Sequence, residues 1–380
     1  MSEHDRPTLC IVGAGGFLAW HVRLHAWAHG FDVRGCSTRR DSLETISAAI
    51  AGADLVVHLA ACNRPAEGQT PDDAAAATQA AGSITAQAIE QAAARGHAPK
   101  AVSIAGTTQE GTAYASAKRL AGEAIMQAAG NAGIPATQWL LPNLFGEHGT
   151  PRHNMVTSTF IEALLDGETP QVHGDNPITL LAARHAAELL LAPLTSSVEP
   201  GTHAVASTHL RHTTVPELLR HLQDIHQGYQ STGALPDTAD PFINELCAAY
   251  LSHAVPRRHA VDLVQHSDER GSFVETVRAG GQGQVSFSTT VPGITRGNHL
   301  HLRKIERFVV LKGEANIEMR KHGSEERILV HVSGDAPKAV DMLCGWTHNI
   351  TNVGSDTLYT QFWINEPFDP ADPDTFYQEV

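Results

Sequence analysis

From Thr8 to about residue 205 the chain alternates short, almost wholly apolar runs with alanine-rich stretches of helical period. Apolar runs bounded by glycine read as strands buried on both faces. Their interleaving with helices predicts repeated βα units around a parallel sheet. The pattern places strands at Thr8–Val12, Phe31–Cys36, Asp54–Ala61, Ala101–Ile104 and Thr137–Leu141. It places helices from Phe17 to His29 and from Asp72 to Arg95, the second interrupted at Gly82 and Ser83. Past Ser207 the text turns helical and histidine-rich, over Val215–Gln227 and Asp240–His253, and Val255-Pro256-Arg257-Arg258 reads as a hinge. From Val261 onward β-branched and aromatic residues alternate between Gly and Asp turns, the pattern of an all-β barrel. The expected fold class is α/β plus all-β, with a nucleotide-binding unit and its substrate-binding helices over 1–254 and a barrel over 255–380.

Composition narrows the class. A chain of 380 residues is comfortable for two domains, each with its own core. The formal charge of −14 argues against a nucleic-acid partner. No apolar run is long enough to span a bilayer, and the first apolar stretch is a glycine-rich strand and turn rather than a signal peptide. The five cysteines, at 10, 36, 62, 247 and 344, form no CxxC pair and read as reduced thiols. These features describe a cytoplasmic enzyme with a small-molecule substrate and no membrane partner.

Ile11-Val12-Gly13-Ala14-Gly15-Gly16-Phe17-Leu18-Ala19 runs from a strand through a glycine turn into a helix. Gly13 and Gly16 let the backbone approach a pyrophosphate, and the helix N-terminus offers N–H donors and a positive dipole. The second strand ends Arg34-Gly35-Cys36-Ser37-Thr38-Arg39-Arg40. That strand end lacks the acidic residue that would hold the ribose of NAD. Ser37, Arg39 and Arg40 favour NADPH instead.

Tyr114-Ala115-Ser116-Ala117-Lys118 puts a phenol and an amine four residues apart, on one face of a helix. A nearby lysine cation lowers a phenol's pKa, which suits proton transfer during hydride transfer. Together these features resemble the extended short-chain dehydrogenase/reductase superfamily, and so do His58-Leu59-Ala60-Ala61 and Pro142-Asn143-Leu144-Phe145-Gly146. The resemblance implies a Rossmann-like fold. It implies cofactor contacts from Gly13, Gly16, Phe17, Leu18, Leu59, Ala60, Tyr114 and Lys118. It also implies a serine or threonine, before the tyrosine, that hydrogen-bonds the substrate carbonyl. Here the strand end reads Val102-Ser103-Ile104-Ala105-Gly106-Thr107-Thr108, and the register from Tyr114 puts Ala105 at the hydroxyl position. Thr107 or Thr108 substitutes only if the loop shifts, with Thr107 the catalytic candidate, and Ser103 lies too deep in the strand.

In the barrel, His299 and His301 are two apart, so on a strand both side chains leave the same face. Glu306 and His348 then arrive from neighbouring strands to complete three imidazoles and a carboxylate around one metal ion. That donor set suits Zn²⁺, although Fe, Mn or Ni can be held the same way. The spacing from Gly293 through His299, His301 and Glu306 to Gly313, and from Gly345 through His348 to Asn352, resembles the two-part cupin motif. Leu343 stands where a proline is usual. Asp268-Glu269-Arg270-Gly271-Ser272-Phe273, Glu275 and Gly283–Ser288 are similar to the first strands of deoxysugar-epimerase cupins.

An extended reductase followed by this cupin resembles the bifunctional capsular-polysaccharide biosynthesis enzymes acting on UDP-4-keto-6-deoxy-N-acetylhexosamines. Asn63-Arg64-Pro65, Ala249-Tyr250-Leu251-Ser252 and the tail Asn365-Glu366-Pro367-Phe368-Asp369-Pro370 through Pro373-Asp374-Thr375-Phe376 to Glu379-Val380 carry the likeness over nearly the full length. It implies metal-dependent C3 epimerisation in the cupin, NADPH-dependent reduction of the C4 ketone in the first domain, and a homodimer. The residues do not identify the epimerising base. They also leave open another carbonyl substrate from a secondary-metabolite pathway, or a first domain that only binds cofactor or dimerises.

Overall fold

Thr8–Val12 (β1) is buried on both faces because every second side chain joins a different helix layer. Leu9 and Ile11 pack with Ala19, Val22, Leu190 and Leu191, whereas Cys10 and Val12 pack with Ile46, Ile89 and Ile125. A strand covered on both sides must sit inside a parallel sheet. The computed structural model describes residues 6–380 other than 66, 173, 269, 270, 275, 278, 282 and 367, and the backbone alone for 265–268 and 271–274. Glu269, Arg270, Glu275 and Pro367, which carried part of the sequence resemblance, lie outside the described residues.

The chain divides into two compact units. The first holds the residues through Phe145, then Gly149–Thr159 and Asn176–Thr214. Its strands continue with Asp32–Cys36 (β2), Leu55–His58 (β3), Val102–Ala105 (β4), Ala136–Leu140 (β5), Asn143–Phe145 (β6), Pro177–Ala182 (β7), Gly201–Ala204 (β8) and Leu210–Thr214 (β9). Six of them form a parallel sheet in the order β2-β1-β3-β4-β5-β8, and β6-β7-β9 form a smaller sheet. The helices that begin in it are Phe17–Ala28 (α1), Leu43–Ile50 (α2), Pro71–Ala94 (α3), Ala113–Asn131 (α4), Val156–Leu165 (α5) and Ala183–Thr195 (α6), of which α5 passes into the second unit at Phe160. The strand order reverses between β1 and β3, the switch point where such sheets bind ligands.

The long alanine helix α3 runs without the interruption expected at Gly82 and Ser83. Gly82 is there for contact: a Cβ on it would sit 2.4 Å from the Ala121 Cβ of α4. Two alanine-rich helices approach closely only where one gives up its side chain.

The second unit holds Gly146–His148, Phe160–Asp175 and Val215–Val380. It therefore includes Val215–Thr232 (α7) and Pro241–Ala254 (α8), and the division falls at 214/215 rather than at the expected 254/255. Long-range polar contacts explain why. The Arg307 guanidinium meets Asp341 at 2.7 and 2.9 Å, Tyr229 of α7 donates to the same carboxylate at 2.7 Å, and Arg307 also donates to the Gly233 carbonyl at 2.6 Å. Asn365 donates to Asn244 of α8 at 2.9 Å.

The barrel strands are Val261–Asp262 (β10), Gln265–Asp268 (β11), Gly271–Val274 (β12), Gln284–Thr290 (β13), Thr295–Leu300 (β14), Glu306–Lys312 (β15), Glu314–Lys321 (β16), Arg327–Ser333 (β17), Lys338–Met342 (β18), Trp346–Asn352 (β19), Leu358–Ile364 (β20) and Phe376–Tyr377 (β21). They form two five-stranded antiparallel sheets, β10-β18-β15-β20-β13 and β17-β16-β19-β14-β21, with β11-β12 a separate hairpin. These two sheets are the all-β unit that the alternation predicted, in the double-sheet form that the cupin resemblance implied.

Candidate cofactor and metal sites

Gly13 follows β1 with φ 93°, and a Cβ on it would lie 2.7 Å from the backbone nitrogen of Ala60 just past β3. The two expected cofactor residues thus pack across the switch point, and Leu59 is tied there by its N–H to the Val12 carbonyl at 2.9 Å. Phe17 and Leu18 begin α1, whose N-cap Gly16 brings no capping side chain and whose first turn holds no acid. The N–H groups of that turn keep their positive end uncompensated.

A cleft of about 400 Å³ opens beside this turn, lined by Ala14, Arg23, Arg34, Ser37, Arg40 and Asp41 among others. Of the residues expected from the sequence, Ser37 and Arg40 line it and Arg39 does not. Arg23, Arg34 and Asp41 were not anticipated. Arg34 stands in the strand end three residues before Ser37, and that position was the available signal for one of them. Arg23 also donates to the Ala14 carbonyl at 2.5 Å, holding the glycine turn. Asp41 accepts from the Ser37 N–H at 2.7 Å, so the acid missing from the strand end stands slightly further along the loop.

Tyr114 lies in the first turn of α4, capped by Thr112 accepting from the Ala115 N–H at 3.0 Å. Lys118 follows one turn later and is buried. Its ammonium donates to the carbonyl of Ala105, the last residue of β4. Burial, and then the charge of Cys62, push the Tyr114 phenol up rather than down. The lysine's expected effect on the phenol is absent from these influences. A protonated phenol is the form that can give a proton away. Burial alone lowers Lys118 to about 8. Ser103 is fully buried and its hydroxyl has no partner, while Ala105 is buried and Thr107 is half-buried. Thr107 Oγ1 accepts from the Gln109 N–H at 3.1 Å, which leaves its own O–H free to donate.

In the second unit the four expected ligands converge. His299, His301, Glu306 and His348 offer donor atoms all within 4.8 Å of one another. His299 pairs directly with His348 across β14 and β19, beyond a register shift between Gly297 and His299. His301 lies one residue past the end of β14. Glu306 does not come from a neighbouring strand: it opens β15, which belongs to the opposite sheet. Four residues of turn carry the chain from one sheet to the other, so the carboxylate faces the imidazoles across the barrel.

The hydrogen bonds say which atoms face inward. His301 Nδ1 contacts the Asp374 carbonyl at 2.5 Å and His348 Nδ1 the Trp346 carbonyl at 3.2 Å. A carbonyl only accepts, so both Nδ1 atoms carry a proton there, and both Nε2 atoms turn toward the carboxylate. Those nitrogens meet the Glu306 Oε2 at 3.4 Å from His301 and 3.1 Å from His348. His301 Nε2 is buried and makes no well-aligned hydrogen bond. A carboxylate only accepts, so these contacts require either a proton on Nε2 or a metal ion among the donors. Burial pushes the Glu306 carboxyl up, but hydrogen bonds and charge from His301 and His348 prevail and hold it well below the usual range. Burial, then His348 and His301, lower His299 to about 4, leaving it neutral and ready as a ligand. Burial pulls His301 down, yet its contact with Glu306 outweighs this and raises it. Three nitrogens and one carboxylate oxygen in this setting fit a divalent cation.

Residues 9–204, more than half of the chain, match the family described as NAD dependent epimerase/dehydratase. The chain belongs to that family. Residues 266–376 match the polysaccharide biosynthesis C-terminal domain. The chain is 27% identical over 368 residues, 96% of its length and 97% of the relative's, to a UDP-2-acetamido-2,6-beta-L-arabino-hexul-4-ose reductase of Pseudomonas aeruginosa. It is similar to the crystal structure of the capsular polysaccharide assembling protein CapF from Staphylococcus aureus, with a TM-score of 0.59 and 29% identity over 98% of this chain and 100% of that one. The spore coat polysaccharide biosynthesis protein SpsL of Bacillus subtilis is 25% identical over 122 residues, 30% of this chain and 81% of that protein. The resemblance to a bifunctional reductase/epimerase family is thus borne out along the full length, and the chain is an enzyme whose family uses a nicotinamide cofactor. Among the described residues no helix is long and apolar enough to cross a membrane.

Proposed function

We propose that the chain acts twice on a nucleotide-linked 4-keto-6-deoxy-N-acetylhexosamine, inverting C3 in the barrel and reducing the C4 ketone at the dinucleotide unit. The observation that carries this reading is the convergence of His299, His301, Glu306 and His348 in a chain whose full-length relative is a hexulose reductase. A bound divalent cation, with Zn²⁺ the proposed ion, would supply Lewis acidity toward the 4-keto oxygen and so acidify the C3 hydrogen. The barrel's own part is to hold three imidazoles, two of them tied at Nδ1 to backbone carbonyls, opposite an ionised carboxylate. Inversion removes the C3 proton on one face and returns one on the other, so no net atoms are exchanged.

For the second step a bound NADPH would supply a hydride to C4. Tyr114 gives its proton to the ketone oxygen, Lys118 holds the strand end, and Thr107 donates a hydrogen bond to the same oxygen. Arg23, Arg34 and Arg40 around the cleft support a 2′-phosphate and hence NADPH over NADH. A homodimer belongs to the same proposal and is checked by light scattering.

The experiment follows a UDP-linked 4-keto-6-deoxy-N-acetylhexosamine in deuterated water with Zn²⁺-loaded protein. Deuterium should enter C3 without NADPH, and NADPH absorbance should then fall as the ketone is reduced. Metal-dependent exchange with no NADPH oxidation would leave only the epimerase. Absence of both would reject the substrate class.

A further inference from the structure

Asp374 sits in the C-terminal tail, far from the cupin motifs in sequence, and is buried at 3% exposure. Its carboxylate accepts three successive backbone N–H groups, from Leu302, Arg303 and Lys304, each at 3.0 Å. These are residues of the turn that carries the chain from His301 to Glu306, between the two sheets. Three converging amides form a small anion-binding concavity, and a carboxylate fills it with charge-assisted bonds. The backbone carbonyl of the same residue accepts from His301 Nδ1 at 2.5 Å. Asp374 adopts φ 44°, a left-handed conformation that a non-glycine residue holds only when its surroundings demand it.

Neighbouring contacts keep the tail in place. Phe376 and Tyr377 pair with Leu300 and His299, Gln378 donates its N–H to the Asn298 carbonyl at 3.0 Å, and Lys304 Nζ reaches the Pro373 carbonyl at 2.8 Å. One residue therefore sets the tautomer of one ligand and the path of the turn that delivers another.

We propose that Asp374 is the positioning residue of the metal site, fixing His301 through its carbonyl and Glu306 through its carboxylate. The proposal rests on reading the four-residue cluster as a metal site. It goes beyond that reading by making the C-terminal tail a condition of metal affinity. In Asp374→Asn one acceptor oxygen becomes an NH₂ group that faces N–H donors, so the turn loosens although the size is unchanged.

The test uses full-length wild type and Asp374→Asn, stripped of metal and titrated with Zn²⁺ against a chromophoric chelator. Loss of such supporting partners weakens metal affinity about ten- to a hundredfold, and that is the expected fall, with NADPH binding by fluorescence unchanged. Asn352→Ala is the control for a merely structural effect, because the Asn352 side chain bonds the Thr290 and Asp356 carbonyls and neither a ligand nor the turn before Glu306. Unchanged Zn²⁺ affinity in Asp374→Asn, or an equal loss in Asn352→Ala, overturns the proposal. Should wild type take up no Zn²⁺, the metal reading fails and this one with it. Nitrogen-15 shifts of His301 in metal-free wild type give a separate answer that needs no variant to fold. A proton on Nδ1 supports the clamp, and a proton on Nε2 instead overturns it.

Discussion

Lys118 donates its ammonium to the carbonyl oxygen of Ala105, joining the tyrosine helix to the strand end where a hydroxyl was expected. Burial brings the lysine to about 8 from its ordinary 10.5, so its charge is lost within an accessible pH range. Ketone reduction should fall as pH rises through about 8, and Lys118→Met should lack that alkaline limb. Stability moves the other way. Between the folded value near 8 and the ordinary 10.5 the unfolded chain binds the extra proton, so this group's contribution to unfolding free energy rises with pH across that window. A pH–rate profile beside urea titrations at both ends checks the pair. An identical alkaline limb in the variant would reject the assignment.

Tyr114 and Thr107 should separate by what each gives the ketone oxygen. Tyr114→Phe removes the proton donor and is expected to lower kcat by about 10²–10⁴-fold. Thr107→Ala removes one hydrogen bond, for a loss on the order of a hundredfold, and Thr107→Ser should restore most of it. Single-turnover rates with saturating NADPH make the comparison. A Thr107→Ala enzyme with wild-type kcat would mean that another group contacts the carbonyl.

Arg40 lines the cleft beside the glycine turn and Arg39 does not. A hydrogen bond to a charged group contributes about 1.5–3 kcal/mol, so Arg40→Ala should weaken NADPH about ten- to a hundredfold. NADH should be little affected, and so should NADPH in Arg39→Ala. Fluorescence titration of both cofactors reads the difference. Equal weakening of NADPH and NADH would remove the arginine from any role in choosing between them.

Arg307 and Asp341 are both buried at 2% exposure, in a network shared with Tyr229 and Gly233. Removing one partner leaves an uncompensated buried charge, at a cost of about 3–5 kcal/mol. Arg307→Met should therefore destabilise the unit that contains α7, α8 and the barrel. The double variant Arg307→Met with Asp341→Leu should recover much of the loss, since it leaves no lone charge. Chemical denaturation of the four proteins completes the cycle. Additive losses would mean that the two residues are not coupled.

Much of this was readable along the chain because it depends on short-range spacing. The Gly13 turn, the Tyr114–Lys118 face and the choice of His299, His301, Glu306 and His348 each follow from local geometry or ligand chemistry. Asp41 escaped notice because it sits beyond the strand end and returns to the cleft only through its bond to Ser37. The unbroken course of α3 through Gly82 was hidden for a related reason. A glycine in a helix reads as a break until the neighbouring Ala121 is seen against it.

The sequence by itself determined the two fold classes, the glycine turn after the first strand and the donor set of the candidate metal site. Periodicity and residue type carry that information within a few turns or one strand. Only the tertiary structure decided that Glu306 crosses from the opposite sheet, that α7 and α8 join the barrel unit, and that Asp374 braces the turn before Glu306. Those outcomes rest on contacts between residues tens of positions apart. A carboxylate's partners are chosen by where the chain returns in space, and no local pattern records the return.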